Sequence, residues 1–135
     1  MELKSLTYTS WASPSLTADD VHSILASART HNPLHGLSGV LLFNGSVFMQ
    51  ILEGVEPAID ELVRLLVDDR RHSNMSIRDE RMIERRSFPH WEMAYVRLED
   101  ALFVGEAEVE RLLERELPES LRNMVRGLLH DVIKP

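Results

Sequence analysis

Cysteine is absent from all 135 residues, which removes disulfides, thiolate metal sites and cysteine nucleophiles together. No apolar run reaches the roughly 18–20 residues that a bilayer span needs. The opening Met1-Glu-Leu-Lys-Ser-Leu6 also lacks the apolar core of a signal peptide, so a cytoplasmic protein is expected. Positive charge is in deficit: 15 Lys and Arg against 22 Asp and Glu leave a net charge of −7. That balance argues against nucleic acid or an anionic membrane as the partner. Glycines form neither a P-loop nor a dinucleotide fingerprint, and Ser10, Ser13 and Ser15 lack a nucleophile-elbow context. His31 and His35 are four apart, but Pro33 between them is expected to prevent a helical ligand pair. Carboxylates are plentiful yet fall mostly on helical or edge faces that water solvates. From the residues alone an enzyme is poorly supported.

What is present is a globular composition, 44% hydrophobic and long enough for one domain with a real core. Its organising stretch is Gly36-Leu-Ser-Gly-Val-Leu-Leu-Phe-Asn-Gly-Ser-Val-Phe-Met-Gln-Ile-Leu-Glu-Gly54. Asn44-Gly45 separates two apolar runs and predicts a β-hairpin with strands over 37–43 and 46–53. Both faces of the hairpin are apolar, as in the middle of a sheet covered on both sides. Gln50 breaks the pattern: it shares a face with Phe48 and Leu52, so its amide is expected to be buried and bonded.

Around the hairpin, residues 3–9 read as a strand and Trp11-Ala-Ser-Pro-Ser15 as a loop. Thr17 caps a helix with Asp20 at its third position, and Val21, Ile24, Leu25 and Ala28 form its apolar stripe. The helix is expected to end near Thr30, because the residue before Pro33 disfavours α geometry. Pro57 opens a second helix with Ile59, Leu62, Val63 and Leu66 as its stripe, ending in the Asp68-to-Ser73 run. Residues 76–85 read as a charged edge strand, and 91–97 as a strand with Trp91, Met93 and Tyr95 on one face. Residues 106–114 and a stripe of Leu121, Met124, Val125, Leu128 and Val132 read as helices. The order β-α-β-β-α-β-β predicts an α+β, ferredoxin-like sheet, with two helices on one face and C-terminal helices on the other.

In that fold the first and third strands are central neighbours, so Tyr8 and Gln50 are expected to meet beneath the helices, with Asn32 reaching in from the first helix. Spacing leaves two readings open. The tyrosine and glutamine either satisfy one another inside a filled core or line a site. A small ferredoxin-like enzyme of the acylphosphatase kind is a further alternative, but it needs an anion-binding loop and an arginine where this chain has Trp11 to Ser15.

Four segments, taken together, closely resemble a BLUF domain, the flavin-binding blue-light sensor. They are Leu6-Thr-Tyr-Thr-Ser10, Asn32-Pro-Leu-His-Gly-Leu-Ser-Gly-Val-Leu-Leu-Phe43, Phe48-Met-Gln-Ile-Leu-Glu-Gly54 and Arg85-Arg-Ser-Phe-Pro-His-Trp-Glu-Met93. The resemblance implies a photosensory unit over residues 1–97 and a C-terminal helical extension over 98–135, as in short single-domain members. It implies a non-covalent flavin: FAD, with FMN or riboflavin as alternative forms. Tyr8 would donate an electron and a proton to the photoexcited flavin, and Gln50 would be the amide that rearranges between them. Asn32 would bond the polar edge of the ring with His31 beside it, while Ile24 and Leu66 would sandwich the ring. Trp91 and Met93 would relay the signal to a light-regulated effector protein through the last strand and the C-terminal helices. A homo-oligomer is also expected. Family members commonly carry arginine at the position aligned with Leu65; here the nearest is Arg64.

Overall fold

In the computed structural model, the described residues are 2–43, 45–87, the backbone of 94–97, and 122–123. The elements run β1 (Leu3–Ala12), α1 (Ala18–Leu34), β2 (Ser38–Phe43), β3 (Val47–Gly54), α2 (Glu56–Val67), β4 (His72–Ile83) and β5 (Ala94–Arg97). They form one five-stranded sheet in the order β4-β1-β3-β2-β5. The first four strands are antiparallel to their neighbours, and β5 joins β2 in parallel. This is the ferredoxin-like α+β arrangement, with β1 and β3 at its centre.

The hairpin forms where Asn44-Gly45 between two apolar runs places it. Gly45 takes φ 97°, a left-handed conformation that glycine adopts without strain. The rings of Phe43 and Phe48 stack beside the turn with centroids 4.4 Å apart. Leu41, Phe48 and Leu52 join Leu6, Tyr8, Val21, Leu25 and Ile59 in the core between sheet and helices. On the opposite face Thr7, Val40, Leu42, Met49 and Ile51 are also buried. The expected cover for that face, helices within 106–132, lies outside the described residues. One charge is buried on the helix side: Lys4 joins Asp60 of α2 at 3.1 Å and also Glu80 of β4. Three elements are thereby tied at a single ammonium, as burial of a charge requires.

Thr17 caps α1 as expected: its hydroxyl accepts from Asp20 N–H at 3.1 Å while the Asp20 carboxylate accepts from Thr17 N–H at 2.9 Å. The helix does not stop near Thr30. It runs through Pro33 to Leu34, because a proline in the last turn forfeits little more than its own N–H bond. The turn then tightens, with His35 and Leu37 N–H both donating to Asn32 O, at 3.2 and 2.8 Å. Trp11 and Ala12 are strand rather than loop, and β4 begins at His72, not Ser76, since Ala12 pairs with His72 and Trp11 with Ser73. Asn74, at φ 53°, accompanies a register shift there. The charges of Asp68 to Ser73 suggested a loop, but they did not reveal a partner strand that was itself longer than expected. Trp91, Met93 and the first part of the last strand lie outside the described residues.

Gly39 of β2 has no room for a side chain: a Cβ there would lie 2.0 Å from Ile51 O. Gly39→Ala is expected to lose roughly 1–3 kcal/mol through overpacking, more than the about 1 kcal/mol expected for removing the helix cap in Thr17→Ala. Urea denaturation of both variants checks this, and a Gly39→Ala protein as stable as the parent would refute the close approach.

Candidate functional site

Ala28 and Ser27 are small where α1 faces α2, and a cavity of about 220 Å³ opens between the helices above β1 and β3. Its floor is Tyr8, Leu41, Phe48 and Gln50. Tyr8 and Gln50 are directly opposed across the β1–β3 ladder. The Tyr8 hydroxyl donates to Gln50 Oε1 at 2.5 Å, with both residues buried. The amide oxygen is thus turned toward the phenol. Ile24 of α1 and Leu66 of α2 supply aliphatic side walls. Asn32, wholly buried in the last turn of α1, and His31 beside it complete one end. Sequence reasoning named six residues for this site, and the fold brings all six around the same space.

The His31 and His35 rings stack with centroids 4.2 Å apart, since α1 continues through Pro33. Burial, reinforced by the neighbouring His35, holds the His31 imidazole below the ordinary histidine range. No group of three or more metal-ligating side chains occurs among the described residues. Arg64 points away from the cavity and pairs with Glu61 at 3.1 Å, whereas Leu65 contributes to the lining.

Three titratable lining residues were not named as site residues from the sequence: Asp69, Arg71 and His72. The Arg71 guanidinium grips the Asp69 carboxylate, with Nε–Oδ1 at 2.9 Å and Nη2–Oδ2 at 2.7 Å. That pairing holds the Asp69 carboxyl below the usual carboxylate range, against an opposing effect of burial. His72 Nε2 lies 2.6 Å from Leu66 O, and a carbonyl only accepts, so this nitrogen carries the proton. Its ring is tilted against Tyr8 at a centroid distance of 6.2 Å. The signal for these residues was the basic end of the run after α2, legible only once β4 is known to begin at His72.

Chemically, the cavity has mostly apolar walls, the Gln50 amide on its floor, Asn32 and His31 at one end, and the Asp69–Arg71 pair with His72 at another side. A flat heteroaromatic ring system with an apolar end and alternating carbonyl and N–H groups along one edge matches that distribution. A flavin ring has this chemistry. Residues 3–94 match the family model described as BLUF, sensors of blue light using FAD. The chain belongs to the BLUF family. It is 33% identical over 73 residues to the blue light- and temperature-regulated antirepressor BluF of Escherichia coli K12, covering 54% of this chain and 18% of that protein. It is 30% identical over 87 residues to the photoactivated adenylate cyclase subunit beta of Euglena longa, covering 64% of this chain and 10% of that one. The chain thus spans less than a fifth of either curated relative. Among solved structures, the dark state of the BLUF protein BlrB superposes with a TM-score of 0.76 at 34% identity, covering 96% of this chain and 97% of that one. As a BLUF domain the chain is a flavin-binding blue-light sensor. No helix among the described residues is long and apolar enough to cross a membrane.

Burial, reinforced by the Asp69 charge, pushes the Tyr8 phenol far above the ordinary tyrosine range. A raised phenol favours the protonated form, so its contribution to stability is intact below about pH 10, where a free tyrosine ionises, and is lost as pH climbs beyond it. The difference between alkaline absorbance titrations of the parent and Tyr8→Phe isolates this group. Tyr8 is expected to ionise only on alkaline unfolding, and ionisation near pH 10 in an intact fold would contradict its burial.

Proposed function

We propose that residues 1–97 form the photosensory unit, that Tyr8 and Gln50 are its photoactive pair, and that residues 98–135 carry its output. The observation that supports this most directly is the 2.5 Å bond from the Tyr8 hydroxyl to Gln50 Oε1 on the floor of the cavity. Bound FAD supplies absorption of blue light and, when excited, an oxidant strong enough for a phenol. Asn32 would bind its polar edge with His31 alongside, while Ile24 and Leu66 would hold the ring faces and exclude water. Burial keeps Tyr8 neutral, so it would give an excited flavin its electron together with its proton, the proton passing by way of the bonded Gln50 amide. It would take both back once that amide has rearranged. Gln50, bonded directly to that hydroxyl, is the first group to respond. A primary amide carries donor and acceptor on one plane, so rotation or tautomerisation exchanges its bonds with little change of shape. With a flavin bound, a stronger bond from the Gln50 amide to a ring carbonyl would lower the excited state and shift absorption to the red.

Tyr8→Phe and Gln50→Ala are each expected to retain flavin and fold but to lose the reversible red shift under blue light. Phenylalanine keeps the ring and removes only the hydroxyl, whereas alanine also leaves a cavity that lowers stability. Light-minus-dark absorption spectra decide the matter, and a normal red-shifted state in either variant rules out the pair. Without cysteine, a bleached covalent adduct is not an available outcome.

Trp91 and Met93 then pass the change into the last strand, and light alters the packing of residues 106–132, a homo-oligomer contact and a light-regulated effector protein. Support comes from the parallel pairing of β5 with β2, next to the strand that holds Gln50. Hydrogen exchange is expected to change more over 106–132 than over the hairpin on illumination. Equal protection in light and dark, with unchanged oligomer size, would place the output elsewhere.

A further inference from the structure

Three residues beyond β4, the Arg86 guanidinium collects three acceptors from the open end of the β2–β3 hairpin. Nη1 donates to Ser38 Oγ and to Glu53 O, each at 2.8 Å, and Nη2 donates to Gly36 O at 2.5 Å. The next residue adds a fourth tie: Ser87 N–H donates to the buried carboxylate of Glu53 at 2.8 Å. The corner these bonds hold is tightly built, for a Cβ on Gly54 would meet Leu37 Cδ2 at 2.5 Å. It connects to the cavity lining at Asn32 and, along β3, to the strand that carries Gln50. Leu37 N–H donates to Asn32 O at 2.8 Å, and Glu53 lies three residues beyond Gln50 on β3. Arg86 itself does not line the cavity. A planar fork serving several oxygens in fixed directions is a role that lysine, a point charge, cannot fill equally.

We propose that Arg86 is a positioning residue that fixes the chain entering the relay segment to the hairpin carrying Gln50. After Ser87 the sequence runs through Trp91 and Met93 into β5, which pairs with β2 from Val40 onward. With the corner clamped, a change in Gln50 bonding is passed on to residues 91–97. With the clamp cut, the same change is absorbed by a loose joint. The proposal rests on the reading of Gln50 given above, and the two fail differently.

The test uses the full, FAD-loaded chain carrying Trp11→Phe, so that Trp91 is the single tryptophan. Arg86→Gln is compared with this parent, and Arg86→Lys repeats the comparison should the glutamine variant fail to fold. Three quantities are read: the red shift, the melting temperature, and the light-minus-dark change in Trp91 fluorescence with amide exchange over 94–97. The red shift is expected to be full-sized in both variants. The light-driven Trp91 and amide changes are expected to fall about fivefold in Arg86→Gln, the equivalent of one lost hydrogen bond, with partial recovery in Arg86→Lys. A full Trp91 response beside a lowered melting temperature would make Arg86 a brace only and overturn the proposal. Loss of the red shift in the parent itself would overturn the Gln50 reading and this proposal with it.

Discussion

A phenol and a primary amide, opposed across two central strands and closed off from water, are the constraint around which this molecule is arranged. Each is costly to bury alone, and each satisfies part of the other's hydrogen-bonding capacity. Direct opposition requires β1 and β3 to be antiparallel neighbours in a fixed register. The split β-α-β connections, which put β2 and β4 outside them, meet that requirement. A slip of one residue would turn Gln50 to the other sheet face and bring Met49 under the helices. The β1–β3 register therefore fixes which side chain lies under the helices.

The cavity above this pair is lined on α1 by small residues. Val21, Leu25 and Ile59 are buried in the core, while Ser27 and Ala28 line the cavity. A helix stripe read only as apolar conceals that difference, since alanine and leucine count alike in periodicity but not in volume. Asp69, Arg71 and His72 close the remaining side, and their ion pair places charge close to a phenol that burial already keeps neutral.

Much of this was legible in the chain itself. Asn44-Gly45 between apolar runs located the hairpin, the capping pair Thr17 and Asp20 located α1, and the odd polarity of Gln50 marked a buried amide in the core. The misreadings share one cause. Pro33, Trp11 and the Asp68-to-Ser73 run were each judged by residue preference, without their place in the element or the sheet. Pro33 is tolerated because it falls in the last turn, whereas Trp11 and His72 are strand because they lie beside each other's partners. Arg86 stayed invisible because its three acceptors are two backbone carbonyls and a serine hydroxyl, and none leaves a mark in sequence.

The edge formed by β4 carries a consequence for how such a chain keeps company. Its pairing with β1 slips register twice, Asn74 departs from extended geometry, and its charges are bound within the chain: Arg78 to Thr9, Asp79 to Arg81 and Glu80 to Lys4. A foreign strand seeking to extend the sheet on that side would meet a kinked template and side chains already committed. Accretion at that margin is discouraged, so a partner has more to gain from surfaces that exchange side chains than from those that exchange backbone.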